Sequence, residues 1–135
     1  MKAAYLLGRM AFGGFFLYSG IRHFQAQEEI ARYAGGKNIP APDLAVQLSG
    51  AALAIGGASI LLGVKPQWGA LAVIGFLAAV SPVMHDFWRR ENPGERQSEM
   101  INFSKNMALL AAAMMVSGME HGKAARQAAP RLKAA

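Results

Sequence analysis

The sequence predicts an all-α integral membrane four-helix bundle, and composition, charge placement and segment length all support this fold class. Hydrophobic residues make up 53% of the 135 residues and charged residues 16%, whereas an average soluble domain is roughly 25% charged. The charges lie between long apolar segments, and four of these reach the roughly 20 residues that a helix needs to cross about 30 Å of hydrocarbon. A soluble domain with four such helices would have almost no polar surface left, so a membrane bundle is the better interpretation.

The first two predicted spans cover residues 4–24 and 44–64. Arg9 lies near the start of the first span, where its long side chain can reach the membrane interface. This span has features of a signal peptide, but no convincing small-x-small cleavage site follows it, so we expect it to be retained. Between the two spans, residues 25–34 are expected to form a short helix on the membrane surface, and Asp43 is expected to cap the second span.

The third and fourth predicted spans cover residues 67–88 and 100–119. Pro66 suits the first turn of the third helix, because its missing N–H would have no partner there in any case. Pro82 predicts either a kink in the last third of that helix or an early end. Pro93, followed by glycine, predicts the turn of the hairpin that joins the two spans.

One domain is therefore expected at residues 1–122, followed by a basic, alanine-rich tail at residues 123–135 that we expect to be disordered. Four spans place both termini on one side of the membrane. Lys and Arg are divided almost evenly between the two sides, but the basic tail and Lys2 favour cytoplasmic termini. The net charge of +6 comes without a basic motif that has interleaved aromatics, so we expect it to meet anionic lipid of the bilayer and no nucleic acid.

Small residues recur on single faces of the predicted spans. Gly50, Ala54 and Ala58 share one face of the second span, and Gly75 and Ala79 share one face of the third. Small side chains let membrane helices approach closely, so these faces predict tight packing within the bundle, with a homo-oligomer interface as the alternative. The chain has no cysteine, which excludes disulfides and thiol redox chemistry.

Polar residues end three of the predicted spans on the side opposite the termini. The candidate set is Arg22, His23, His85, Asp86, Trp88, Asn102, Phe103, Lys105 and Asn106. Lys105 lies inside the fourth span, where a charge is costly unless it is paired, and we expect Asp86 to be its partner. Two interpretations remain open: an ion-pair network that holds three helices in register, or an interfacial pocket for an amphipathic ligand such as a quinone.

The pocket interpretation assigns a role to each charged or titratable group. His85 or His23 exchanges a proton with the ligand or bonds its carbonyl, Lys105 stabilises an oxyanion, and Asp86 orients the histidine. A haem held by His23 and His85 is disfavoured, because two histidines alone are a weak signal. A metal site would need more ligands than these residues supply, so we expect none.

Four stretches together resemble the DoxX family over residues 6–115: GRMAFGGFFLYSGIRHF, GGKNIPAP, GGASILLGVKPQWGALAVIGFL and HDFWRRENPGERQSEMINFSKNMALL. The last stretch is the most specific, because several of its residues match the family's recurring pattern. They are His85, Phe87, Trp88, Pro93, Arg96, Phe103, Lys105 and Asn106. One departure is Leu53, at a position where many members carry a glutamate.

The resemblance implies a small multi-pass protein of the inner (cell) membrane of a bacterium or archaeon. The family's namesake is a subunit of a thiosulfate:quinone oxidoreductase, and other members are associated with resistance to quinones and catechols or with oxidative-stress assemblies. We therefore expect an accessory or quinone-interacting component with a soluble or membrane oxidoreductase partner. No cofactor motif is evident, so an enzyme acting alone is disfavoured. The alternatives are a stand-alone quinone-reducing or quinone-detoxifying enzyme and a purely structural assembly partner.

Overall fold

Five α-helices and one short 3₁₀ turn form the chain in the computed structural model, which describes residues 2–133 and their side chains apart from residues 2, 124 and 127–133. The helices are α1 (Lys2–Gln25), α2 (Gln27–Gly36), α3 (Pro42–Leu62), α4 (Pro66–Met84) and α5 (Pro93–Lys133), and the 3₁₀ turn is Phe87–Arg89. No strand occurs in the described range. The all-α prediction is therefore confirmed.

Two segments, Pro42–Leu62 and Pro66–Arg89, are long and apolar enough to cross a membrane. Several large apolar side chains of α1, α3 and α5 also face outward: Leu7 is 67% exposed, Ile55 71% and Met115 67%. A protein surface in water rarely exposes apolar groups so extensively, whereas lipid accepts them without cost. That α1 and α5 also cross the membrane stays a prediction.

The helices pack in the spatial order α1, α3, α4, α5, with α2 lying over α3. Their shared core contains the fully buried side chains of Phe16, Leu53, Ile60, Val73 and Leu77. Because these residues come from α1, α3 and α4, the core ties the first three long helices together. The small side chains of α5 complete it, with Ala113 fully buried.

The backbones of α1 and α3 lie against each other where both helices have glycine. A Cβ added to Gly13 would lie 2.5 Å from the backbone nitrogen of Leu61, and one added to Gly57 would meet the backbone of Leu17. The predicted close packing of Gly50 and Ala54 is found at the same interface. Gly75 and Ala79 of α4 instead face outward, so they do not contribute to packing within this bundle.

Several helix ends differ from the predicted bounds, and three of the differences involve a cap or a proline. Helix α3 begins at Pro42, so Asp43 lies within its first turn and not at the cap; there its carboxylate still favours the positive end of the helix dipole. Helix α4 ends at Met84, two residues after Pro82 and before the predicted end at residue 88. Of the two outcomes predicted for Pro82, a kink or an early end, the structure shows the early end. Helix α5 begins at Pro93, because the Asn92 side-chain oxygen accepts the backbone N–H groups of Gly94 and Glu95.

The segment after Gly122, where the sequence predicts disorder, continues α5 as a helix through Lys133. Alanine, arginine, lysine and glutamine are strong helix formers, which accounts for the continuation. Residues 134 and 135 of the predicted tail lie outside the described range.

A polar cluster joins α1 and α5 at the end of the bundle that carries the termini. The Tyr5 hydroxyl donates to the Glu120 carboxylate, and the Lys123 ammonium lies 2.6 Å from the same carboxylate. Arg9 reaches the same end, where its guanidinium lies against Gly63, the left-handed residue that ends α3. Its positive charge is favoured there because the last turn of a helix carries partial negative charge.

Candidate functional site

The carboxylate of Asp86 joins two loops at the end of the bundle opposite the termini. One of its oxygens, Oδ1, lies 2.8 Å from the Lys37 ammonium and 2.9 Å from the Arg90 guanidinium. The Lys37 and Asp86 side chains are only 12% and 14% exposed, so water screens this pair less than a surface pair. The hydrogen bond to Asp86 raises the pKa of the Arg90 guanidinium, although burial acts in the opposite direction.

His85 and Glu99 form a second pair, which joins the end of α4 to the first turns of α5. Their Nδ1 and Oε2 atoms lie 2.8 Å apart, and the side chains are 22% and 19% exposed. An ionised carboxylate can only accept hydrogen bonds, so His85 Nδ1–H donates to Glu99. This pairing orients the imidazole and leaves Nε2 as the ring nitrogen available to another group.

An apolar cavity of about 260 Å³, here called the inner cavity, lies between α1, α3, α4 and α5. Phe15, Phe16, Leu53, Phe76, Leu77, Val80, Met84 and Leu109 form its apolar walls. Its polar lining is Ser19, His23, Tyr33, His85 and Asn106. Two imidazoles and one amide therefore face a mostly apolar space, which is the pattern of a small-molecule site.

His23 is held in place within the inner cavity by its own helix. Its Nδ1 lies 2.7 Å from the Ser19 backbone carbonyl, which can only accept, so Nδ1–H is the donor. The ring packs edge to face against Phe76, with the centroids 5.9 Å apart. Its Nε2 is therefore the nitrogen left for a ligand, as in His85.

A larger and more polar space, here called the outer cavity, lies on the other side of the His85–Glu99 pair. Its volume is about 680 Å³, and it is lined by Glu29, Arg32, Tyr33, Gly36, Lys37, Arg90, Glu95, Ser98 and Glu99. Tyr33 lines both cavities. The inner and outer cavities are therefore neighbours, separated in part by His85, Glu99 and Tyr33.

The structure brings three of the predicted site residues together in the inner cavity: His23, His85 and Asn106. Trp88 and Phe103 instead stack with Phe87 in an aromatic cluster, where the Trp88 and Phe103 ring centroids are 5.9 Å apart. That cluster packs the 3₁₀ turn against α5 and lies outside the lining of the inner cavity.

The remaining predicted site residues lie elsewhere. Arg22 is exposed on α1, and Asn102 is partly exposed on α5. Lys105 is exposed too, because it shares the outward face of α5 with Ile101 and Ser104. The expected pairing of Asp86 with Lys105 is therefore wrong: Asp86 is bound by Lys37 from the loop after α2 and by Arg90 of its own hairpin.

Sequence reasoning missed Lys37, Glu99 and Tyr33 as site residues. Lys37 and Tyr33 belong to the α2 region, which the sequence indicates only as a surface helix followed by a loop. A signal was present for Lys37, since it lies in the GGKNIPAP stretch on which the family resemblance partly rests. From the sequence, Glu99 is considered only as a partner of Lys105, whereas in the structure it lies about two helical turns before Asn106 and pairs with His85.

Metal ligands are not clustered at this site. Among the residues whose side chains the structure describes, no three His, Asp or Glu side chains are grouped so that they can hold a metal ion. The chemistry available to these side chains is hydrogen bonding and proton exchange.

Comparison with known proteins matches the chain to a family model. The DoxX family model matches residues 4–86, which cover α1 to α4 and end at Asp86. No curated protein and no solved structure is significantly similar to the chain. Leu53, at a position where many members carry a glutamate, is only 1% exposed and lines the inner cavity. The family match covers more than half of the chain, and together with the two apolar helices it shows that this protein is a membrane protein of the DoxX family.

Proposed function

We propose that this protein binds a quinone-type ligand in the inner cavity and acts as an accessory component of a membrane redox or stress-response system. The observation that supports this best is the combination of His23, His85 and Asn106 at a cavity whose other walls are almost entirely apolar. A quinone head group is a flat apolar ring with carbonyl oxygens, and the N–H groups of an amide and of a protonated imidazole are suitable donors to those oxygens.

The size of the inner cavity suits a head group better than a whole lipid. Its volume of about 260 Å³ is just below the roughly 300–1,000 Å³ of typical small-molecule pockets. Phe15, which lines the cavity, is 50% exposed on the apolar outer surface of α1. An isoprenoid or alkyl tail can leave the cavity past this side chain and lie in the bilayer.

An accessory role is favoured over that of an enzyme acting alone, because quinone reduction needs an electron donor that a partner would bring. We propose a soluble or membrane oxidoreductase as that partner. The hairpin between α4 and α5 supports this, because its exposed side chains include Arg89, Glu91 and Arg96 and form a polar surface outside the membrane. In this proposal α1, α3, α4 and α5 all cross the cell membrane, with both termini in the cytoplasm.

A purely structural function is the second candidate. The observation that favours it is the Lys37–Asp86–Arg90 cluster, which joins two loops without lining the inner cavity. In that case the polar residues hold the helix ends in register, and the protein serves an assembly partner without binding a small molecule.

Calorimetric titration of the detergent-solubilised protein with para-naphthoquinone distinguishes these candidates. We expect saturable binding, and we expect Asn106→Leu to weaken it by roughly threefold to tenfold, because one net hydrogen bond contributes about 0.5–1.5 kcal/mol. Lys105→Leu is the matched control on the same helix, outside the cavity, and should bind as the wild type does. Absence of binding in all three proteins would favour the structural function, as would co-purification of an oxidoreductase without any bound quinone.

A further inference from the structure

We infer that the inner cavity binds a carbonyl ligand at full affinity only when the His85–Glu99 pair takes up one proton, whereas a hydroxyl ligand binds without that proton. The inference rests on the proposed function for the class of ligand. It adds a proton requirement and a means of distinguishing the oxidised from the reduced form of that ligand.

The pair lies between the two cavities, and each member faces a different one. His85 lines the inner cavity, Glu99 lines the outer cavity, and their side chains are bonded to each other at 2.8 Å. The outer cavity is polar and is lined by exposed residues such as Arg32 and Glu95. A proton from water can therefore reach the pair from the outer cavity without crossing the apolar walls of the inner one.

The proton count follows from the donors and acceptors of the two groups. A neutral imidazole has one N–H, and the Glu99 carboxylate holds it on Nδ1, because the opposite tautomer would turn a lone pair towards a negative charge. Nε2 is then a bare acceptor. A ligand hydroxyl can donate to it, but a ligand carbonyl, which also only accepts, cannot bond to it.

One added proton changes this. The imidazolium has N–H groups on both ring nitrogens, so Nδ1–H still donates to Glu99 while Nε2–H donates to a carbonyl. A hydroxyl can accept the same hydrogen bond, so it binds either state of the pair. The step is proton binding alone: water supplies one proton, no covalent bond of the ligand changes, and no oxidant or reductant takes part.

Other titratable and charged groups face the pair from each neighbouring element. They are His23 from α1, Glu29, Arg32 and Tyr33 from α2, Lys37 from the following loop, Asp86 and Arg90 from the loop after α4, and Glu95 from α5. Asn106 offers an amide donor at any pH, so carbonyl binding should weaken at high pH without vanishing.

The test is to titrate the full-length protein in detergent with para-naphthoquinone and with alpha-naphthol, from about pH 5 to about pH 8, where imidazole changes charge. The absence of cysteine removes the thiol that would react with the quinone. We expect quinone affinity to fall by up to about tenfold per pH unit across the upper part of this range. Naphthol affinity should change much less.

Glu99→Gln is the decisive variant. A glutamine amide can donate to Nδ1, so the neutral ring can keep its proton on Nε2, and quinone binding should lose the part of its pH dependence that comes from the pair, while His23 is unchanged. Glu91→Gln removes the same charge from the exposed hairpin without contacting His85, and it should keep the wild-type profile. Should Glu99→Gln fail to fold, His85→Gln replaces it, because a permanent amide donor should likewise remove the part of the pH dependence that comes from the pair.

The outcomes separate the two proposals. Absence of binding of either probe at every pH overturns the proposed function. Quinone binding that does not change with pH in the wild type overturns the proton requirement alone. The same holds if Glu99→Gln, or His85→Gln in its place, keeps the pH dependence of the wild type.

Discussion

The Lys37 ammonium and the Asp86 carboxylate lie 2.8 Å apart and join the loop before α3 to the turn that follows α4. Both side chains are largely shielded from water. Arg90 completes the cluster from the hairpin. The short helix α2 contributes Tyr33 to the inner cavity. The Lys37–Asp86 ion pair therefore joins the end of this helix to the α4–α5 hairpin.

Replacing Lys37 with Met should remove this ion pair and lower the stability of the protein. The substitution keeps most of the aliphatic stem and leaves Asp86 with Arg90 as its remaining partner, so we expect a loss of about 1.5–3 kcal/mol, the range for a hydrogen bond to a charged group. Unfolding of the purified protein by a graded series of denaturing detergent measures this loss, and hydrogen exchange should increase in α2. Lys105→Met, an exposed lysine outside the cluster, is the control. Equal stability of the two variants would show that the cluster contributes nothing.

The α1–α3 interface should be intolerant of a single added methyl group. A Cβ at Gly57 would overlap the backbone of Leu17, which cannot rotate away as a side chain can. We expect Gly57→Ala to destabilise the protein by about 1–3 kcal/mol or more, the usual cost of overpacking. Gly14→Ala is the matched control in α1, because nothing lies within 4 Å of the added atom. Thermal unfolding followed by circular dichroism compares the two, and a Gly57→Ala protein as stable as the control would contradict the close approach.

The order of the elements could be predicted from the sequence because apolar length, proline and glycine act locally. A short helix is predicted at residues 25–34, and the structure has α2 at Gln27–Gly36; Pro66 begins α4 as expected. The helix ends near Asp43 and Met84 are harder to predict. An aspartate can lie at the N-cap or in the first turn of a helix, and a proline can end a helix or only bend it. Which proline ends a helix and which only bends it depends on contacts made elsewhere in the fold.

The candidate site was predicted in part, for a comparable reason. His23, His85 and Asn106 end or enter spans on the same side, so connectivity alone brings them near each other. The partner of Asp86 depends on helix rotation, which sequence spacing does not determine. Lys105 faces outward on α5, whereas Lys37 reaches Asp86 from a loop whose path is set by the packing of α2 on α3.

The Tyr5–Glu120–Lys123 cluster should make stability depend on pH. Burial raises the pKa of Glu120, but hydrogen bonds from Lys123 and Tyr5 outweigh it, so the pKa lies below its ordinary value. A group with a lowered folded-state pKa stabilises the fold fully above its ordinary pKa of about 4.3, and that stabilisation is lost as the pH falls through the folded-state value. Glu120→Gln should therefore melt at a lower temperature than the wild type near neutral pH.

The difference between Glu120→Gln and the wild type should shrink as the pH falls below about 4, because the wild-type carboxyl is then protonated too. The hydrogen bond to Glu120 raises the pKa of Lys123. The stabilisation that the Lys123 ammonium contributes is therefore lost only at strongly alkaline pH. Glu91→Gln, which removes an exposed carboxylate, should melt with the wild type throughout. A difference that stays constant into acid would mean that the Glu120 charge is not responsible.

Leu53 connects the stability of the bundle to the inner cavity, because it is buried in the core and also lines the cavity. Leu53→Ala should cost about 2–5 kcal/mol, through lost burial and the enlarged space. Ile55→Ala, on the same helix but 71% exposed, should cost far less.

A ligand that binds only the folded state stabilises it in proportion to RT ln(1 + [L]/Kd), so para-naphthoquinone should raise the melting temperature of Leu53→Ala if it occupies the enlarged cavity. A melting temperature that rises with the quinone for Ile55→Ala but not for Leu53→Ala would show that intact packing around Leu53 is needed for binding. No rise in either protein would mean that the quinone does not bind the folded state of these variants.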